Sequence, residues 1–248
     1  PRARWLKSCA LAARAERRPM ATRVLVTRPL REALRWTAQL QALGCHAEAL
    51  PLIAITPTDP APAQAAWQSL GRYHALMFVS ANAVQAFFAA RPDDAPWHTA
   101  LRAWSTGSGT TRALHEAGVP SGLIDTPDDD APQFDSEALW QIVGERPMAG
   151  QRVLIVRGAD AAGRVAGRPW LADQLQAAGV QVEEIATYMR SLPVWTAAQY
   201  TQAQAAAQGD ALWLLSSSDA VRHLELLLPG LNWRAAHALA TSARIAAA

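Results

Sequence analysis

Lysine is almost missing from this chain: Lys7 is the single lysine among 23 basic residues. A Schiff-base lysine in the folded part is thereby excluded, as is a phosphate loop of the Gly-Lys-Ser/Thr kind. Recognition of anions falls to arginine, whose planar fork suits carboxylates and phosphates. Cysteine is scarce too. Cys9 and Cys45 can build neither a zinc cluster nor a disulfide framework, and the usage fits a reducing cytoplasm. Cys45, just after Gly44, reads as a small buried residue at a strand start. Half the residues are hydrophobic, yet no uninterrupted apolar run reaches about 18 residues, so a soluble globular protein with no membrane span is expected. The six histidines (His46, His74, His98, His115, His223, His237) lack metal-ligand spacing, and no metal is expected. The net charge of +2 is set by Arg2, Arg4, Lys7, Arg14, Arg17 and Arg18 near the start; the remainder is mildly acidic, which argues against nucleic acid as a partner.

What the chain does have is a pattern stated twice. Val24-Leu25-Val26-Thr27-Arg28-Pro29 is an apolar strand ending in arginine, followed by a helical stretch and Gly44; Val153-Leu154-Ile155-Val156-Arg157-Gly158 repeats it, closing at Gly179. Ala75-Leu76-Met77-Phe78-Val79-Ser80 is matched by Ala211-Leu212-Trp213-Leu214-Leu215-Ser216. At 248 residues, two α/β lobes of common ancestry are expected, and twin lobes usually bind a ligand in the cleft between them.

The periodicity fills in the rest. Leu30, Leu34, Leu40 and Leu43 recur at mostly helical spacing, a helix is expected over residues 63–70, and Ala83, Val84, Phe87 and Phe88 give the core face of another. Strands alternating with helices imply parallel, doubly wound sheets. The stretches 51–55 and 187–193 look extended and stand symmetrically after a strand, which suggests crossings between the lobes. The expected layout is an N-terminal extension over 1–19, with Met20 as the expected start; a discontinuous lobe of 20–51 plus 191–248; a second lobe of 57–185; and linkers at 52–56 and 186–190. The Arg- and Ala-rich residues before Met20 read as upstream sequence, with an organelle leader as the alternative.

Several residues could carry chemistry. Gly107-Ser108-Gly109 at a strand-to-helix turn could present N–H groups to a small anion; Arg112 stands where a dinucleotide fingerprint needs glycine. A tight turn is the plainer alternative. Ser80, Ser216 and Ser217 lie at carboxyl ends of strands, suited to capping a helix or holding a ligand. Arg28 and Arg157 lie at strand ends and could form ion pairs or meet ligand. Asp128-Asp129-Asp130 reads as a solvated acidic loop. Tyr188 sits in an expected crossing, where a phenol could act as general acid or simply pack.

In order and spacing, Leu25-Val26-Thr27-Arg28-Pro29, Phe78-Val79-Ser80-Ala81-Asn82-Ala83-Val84, Gly107-Ser108-Gly109-Thr110, Ser136-Glu137-x-Leu139, Val153 to Gly158, Thr187-Tyr188-x-Arg190 and Leu215-Ser216-Ser217 together resemble the uroporphyrinogen-III synthase family from Met20 to Ala248. The resemblance implies two doubly wound, flavodoxin-like parallel-sheet lobes joined by a two-stranded linker. It also implies a cytoplasmic, monomeric lyase without metal or organic cofactor. That enzyme cyclises hydroxymethylbilane to uroporphyrinogen III with inversion of ring D through a spiro intermediate, and a transient contact with the preceding pathway enzyme is a further expectation. It points to Tyr188 as catalytic, and to Thr27, Arg28, Ser80, Ser108, Gly109, Thr110, Arg157, Ser216, Ser217 and Ser242 as substrate contacts. Family members continue past a helix beginning near Ser242 with a further strand and helix, so the first lobe is expected to lack an edge strand. Two competing readings are a non-catalytic two-lobed binding protein for a small anion, and a sugar-nucleotide transferase, which would want a metal-binding Asp-x-Asp.

Overall fold

Short apolar runs separated by glycine and proline become strands and helices that mostly alternate in a computed structural model that describes residues 23–93, 95–128, 135–145, 149–160 and 163–247. The extension over 1–19, Met20, Asp129 and Asp130 lie outside the described residues. Strand β1 (Arg23–Val26) leads through Pro29 into α1 (Leu30–Ala42), which ends at Gly44 with φ of 83°. Glycine adopts that left-handed geometry without a Cβ penalty. Then follow β2 (His46–Ala49), β3 (Ala54–Pro57), α2 (Ala61–Gln68), β4 (Ala75–Phe78), α3 (Ala81–Ala89), β5 (Arg102–Ser105), α4 (Ser108–Glu116), β6 (Ile124–Asp125) and α5 (Ser136–Val143). The chain continues with β7 (Arg152–Ala159), α6 (Trp170–Ala177), β8 (Gln181–Ser191), α7 (Ala197–Ala205), β9 (Ala211–Leu215), α8 (Ser218–Leu227), β10 (His237–Ala240) and α9 (Ala243–Ala246). Polar side chains start many of these helices. Ser80, Asp135, Thr196, Ser217 and Ser242 each accept a backbone N–H in the first turn.

Contacts divide the chain into two units, one running to Ala54 and resuming at Ser191, the other spanning Ile55–Arg190. The first holds a four-stranded sheet in the order β10-β9-β1-β2, parallel throughout. On one face Val24, Val26, Ala47 and Leu214 pack on Ala33 and Leu40 of α1. By strand alternation the fully buried Leu25 and nearly buried Trp213 turn to the other face. Leu30 and Leu34, which helped set the helical period, are 58% and 55% exposed; the buried stripe is Ala33, Thr37 and Leu40. Cys45 is half-buried rather than buried.

The second unit holds a six-stranded sheet in the order β3-β8-β7-β4-β5-β6, parallel from β8 to β6. Its two faces carry separate cores. Leu76, Phe78, Ala103, Leu154 and Val156 meet α2, α3 and α4 through residues such as Trp67, Phe87 and Leu114. Ala75, Met77, Trp104, Val153 and Ile155 meet α5 and α6 through Leu139, Val143, Leu171 and Leu175. The doubly wound architecture follows from that alternation, since a parallel strand buried on both faces needs helices on both.

The extended pieces foreseen as linkers prove to be sheet. Residues 54–57 form β3, and 181–191 form one long strand, β8, that does not break at Ile185. The reason is partners on both sides: β7 pairs along its length, and Thr58 N and Oγ1 donate to the carbonyls of Thr187 and Ala186 at 3.3 and 2.8 Å. Asp125 belongs to β6 and accepts from Arg102 Nε at 2.9 Å and Nη2 at 2.5 Å.

Candidate functional site

The repeated motifs occupy equivalent places in the two sheets. β1 lies beside β9, and β7 beside β4, so each Val-…-Arg strand neighbours its Ala-…-Ser partner. In both sheets this junction is where the winding reverses: from β1 the chain goes outward to β2 but later returns to add β9 and β10 on the opposite side. From β7 it goes outward to β8, with β4, β5 and β6 on the other side. Open α/β sheets bind ligands beyond the carboxyl ends of strands at such a switch point.

At the β7–β4 switch point stands Tyr188. It is only 4% exposed and its ring joins the core with Phe78 and Val156. Its hydroxyl lies 2.9 Å from Ser80 Oγ, which also caps α3 by accepting the Ala83 N–H at 3.2 Å. The phenol oxygen is therefore held beside the positive end of a helix. Beside it, the β5–α4 turn gathers hydroxyls. Ser105 Oγ accepts the Gly107 N–H at 3.2 Å and lies 2.9 Å from Thr111 Oγ1, which reaches Thr126 Oγ1 at 3.0 Å. Thr110 and Thr111 donate their N–H groups to the Gly107 carbonyl, whereas the first amides of α4, those of Ser108 and Gly109, have no intrahelical acceptor by helix geometry. An open groove of about 370 Å³ runs past this end, lined by Ser108, Thr111, Arg112, His115, Thr126, Pro127 and Asp128.

The other expected contacts fare unevenly. Arg157 is 5% exposed; Nη1 is 3.4 Å from Glu184 Oε1 and Nη2 donates to the Arg168 carbonyl at 3.3 Å, so the guanidinium is held inside the second unit. Arg28, its counterpart in the repeat, is part-exposed, pairs with Glu32 at 2.6 Å, and lies 4.7 Å over the Trp36 ring. Thr27 is fully buried and its hydroxyl donates to the Leu214 carbonyl at 2.7 Å, tying β1 to β9. Ser217 caps α8 through the Asp219 N–H, Ser242 caps α9 through Ile245, and Ser216 sits half-buried one residue before its cap. Thr110 is buried at 6%.

Thr111, Arg112 and His115 escaped the sequence reading. Their signal was the spacing from Ser108, three, four and seven residues on, which places all four on one face of α4. Gly158, against which Tyr188 packs, was visible only as a motif end. Among the described residues, no group of three or more His, Cys, Asp or Glu side chains could hold a metal ion, and no helix is long and apolar enough to cross a membrane.

Parallel sheets with hydroxyls and helix N-termini at their switch points define a two-unit α/β protein with the doubly wound kind of ligand-site geometry. Residues 35–248 match the family profile described as uroporphyrinogen-III synthase HemD. The chain belongs to the uroporphyrinogen-III synthase family, cyclising lyases that act on hydroxymethylbilane in tetrapyrrole biosynthesis. Its fold is similar to that of a uroporphyrinogen III synthase from the extremely thermophilic bacterium Thermus thermophilus, at 18% identity over 89% of this chain and 84% of that one, with a TM-score of 0.52. A uroporphyrinogen-III synthetase from Helicobacter pylori is similar at 13% identity over 91% and 86%, with a TM-score of 0.55. At such identities the structural likeness speaks to the fold, and the family match carries the activity.

Proposed function

We propose that this chain closes hydroxymethylbilane to uroporphyrinogen III with ring D inverted, as a cytoplasmic monomer, and that Tyr188 donates the proton that releases the terminal hydroxyl as water. The observation that supports this reading is the Tyr188–Ser80 pair at the β7–β4 switch point, 2.9 Å apart at the N-terminus of α3. When the phenol gives up its proton, Ser80 O–H can donate to the phenolate and the helix end favours its charge. The electron-rich pyrrole then bears the azafulvene cation. Attack by the substituted carbon of ring D gives the spiro intermediate, whose fragmentation and reclosure invert the ring. Loss of a ring proton at the end restores aromaticity and can return the phenol to its starting state, so the net loss is one water.

In the second unit, carboxylates of the substrate would meet the amides of Ser108 and Gly109, with Thr110 shaping that turn, and the side chain of Ser80; in the first unit, Arg28 is a candidate contact. Ser216, Ser217 and Ser242 would supply helix N-termini in the first unit. Arg157, paired with Glu184, is a further candidate contact in the second unit. Because the chemistry is largely the substrate's own, the protein acts mainly by conformation and placement.

Incubation with freshly generated hydroxymethylbilane, oxidation, and chromatographic separation of the type I and type III isomers tests the reading. Type III in excess of the protein-free control is expected. Tyr188→Phe should lower its rate by about 10- to 100-fold, toward the modest end of general-acid effects. Type I alone from the folded protein would overturn the proposal. Simple retention of the bilane without turnover would favour a binding protein.

A further inference from the structure

Gly158 is a glycine whose backbone does not call for one. It lies in β7, outside the set of glycines with positive φ, in a conformation open to any residue. What it lacks is room. A Cβ built there would stand 2.8 Å from Tyr188 Cζ, 2.9 Å from Cε2 and 3.2 Å from the hydroxyl oxygen. The first two are distances real Cβ atoms essentially never show, the third is tighter than nine in ten real Cβ contacts, and all three fall on the reacting end of the ring.

The approach is built by an irregularity in the ladder. Arg157 pairs with Ala186, but Gly158 pairs with Tyr188, so Thr187 is an extra residue in β8. In a regular strand, residues three apart face opposite ways; here Ile185 and Tyr188 both pack into the same core. The bulge thus turns Tyr188 onto the face that carries Ser80, directly over Gly158. The backbone under it is fastened, because the Gly158 carbonyl accepts the Ala166 N–H at 3.0 Å and the β7–β8 ladder continues to Ala159 and Met189. A side chain at 158 would therefore move the ring rather than the strand.

Resting on the reading of Tyr188 as proton donor, we propose that Gly158 is a positioning residue. Its bare backbone at the β8 bulge is the seat of the Tyr188 ring and fixes where the phenol hydroxyl stands beside Ser80. The distance from Gly158 to the ring sets the distance from the hydroxyl to substrate.

The test uses Gly158→Ala, Tyr188→Phe and the double variant of the full chain, labelled with ¹³Cζ-tyrosine. The chain has three tyrosines, and the Tyr188 resonance is the one lost in Tyr188→Phe. Gly158→Ala should shift that resonance while those of Tyr73 and Tyr200 stay in place. It should lower kcat by about 10- to 100-fold with little change in KM, as expected for a reacting group displaced by about 1 Å. In the Tyr188→Phe background it should cost almost nothing further. An unmoved Tyr188 resonance, or an equal loss of kcat in both backgrounds, would overturn the seat while leaving the proton-donor reading intact. Undiminished turnover in Tyr188→Phe would instead overturn that reading and the catalytic role of Gly158 with it. If Gly158→Ala does not fold, Gly158→Ala with Tyr188→Ala decides. A thermal midpoint matching that of Tyr188→Ala alone supports the clash with the ring, and continued failure to fold overturns it.

Discussion

Ser80 Oγ is engaged twice, capping α3 through Ala83 N–H and meeting the Tyr188 hydroxyl. Its replacement should therefore be felt in two separate measurements. Ser80→Ala removes a cap, which costs about 1 kcal/mol in urea unfolding, and also frees the phenol, which should lower kcat for type III product by several-fold beyond any loss of folded protein. Ser80→Thr keeps an acceptor at the cap and should recover most of both. A Ser80→Ala protein with full kcat would show that the contact is packing alone. This much was legible: a serine closing an apolar strand before a helical run reads as a cap at a strand's carboxyl end. The fates of the two repeated arginines were not. Arg157 is enclosed because Glu184 in β8 and the Arg168 carbonyl reach it, while Arg28 finds Glu32 one helical turn on. Identical local motifs cannot announce partners supplied from elsewhere in the chain.

Elements were read best where their signals are local. Gly44 and Gly179 end helices, capping residues start them, and β1, β4, β7 and β9 are short apolar runs. β3 was missed as a strand because it is an edge piece ending in Pro57, and β8 was read too short because its later half alternates poorly across the bulge. At the amino end of β4 another clasp crosses the second unit's sheet: Tyr73 Oη donates to Glu183 Oε2 of β8 at 2.8 Å, and Arg72 donates to both. Burial, with Glu183 beside it, raises the Tyr73 pKa above 10.0. A raised value means the folded state holds the phenol proton after the unfolded chain has released it. The contribution is full below pH 10.0 and drains away as the pH climbs through the folded value. Stability of wild type should fall above that point more steeply than that of Tyr73→Phe, read from urea midpoints across the alkaline range. Parallel slopes would mean the phenol ionises freely. The capping box of α7, with Thr196 and Gln199 exchanging side-chain and backbone bonds, gives a second element-level expectation: Thr196→Ala should cost about 1 kcal/mol.

On the scale of the whole chain, the doubled motif proved the most informative reading, because it foretold two parallel α/β sheets; the structure adds that in each the switch point lies between the repeated strands. What it could not foretell is how unequally the two sheets are furnished. The six-stranded sheet carries a core on each face, including the ring cluster of Trp67, Phe87, Phe88 and Trp97. The four-stranded sheet rests one face on a single stripe of α1, in which Ala33, Thr37 and Leu40 are the buried positions. Leu40 is the large apolar side chain among those three buried positions and is wholly buried, with the partly buried Trp36 packing beside it, so Leu40→Ala removes a principal contact of α1 with β1 and β2. A loss of about 2–5 kcal/mol is expected, a large share of the stability of an ordinary domain. Since every member of that cluster lies in the first unit, amide exchange should quicken in β1, β2, β9 and α1 and stay close to wild type in β4, β5 and β7. Equal acceleration in both sheets would show that the chain opens as one cooperative body. Exchange confined to the first unit would make its four-stranded sheet the place where destabilising substitutions act first, ahead of any effect on Tyr188 and its surroundings in the second.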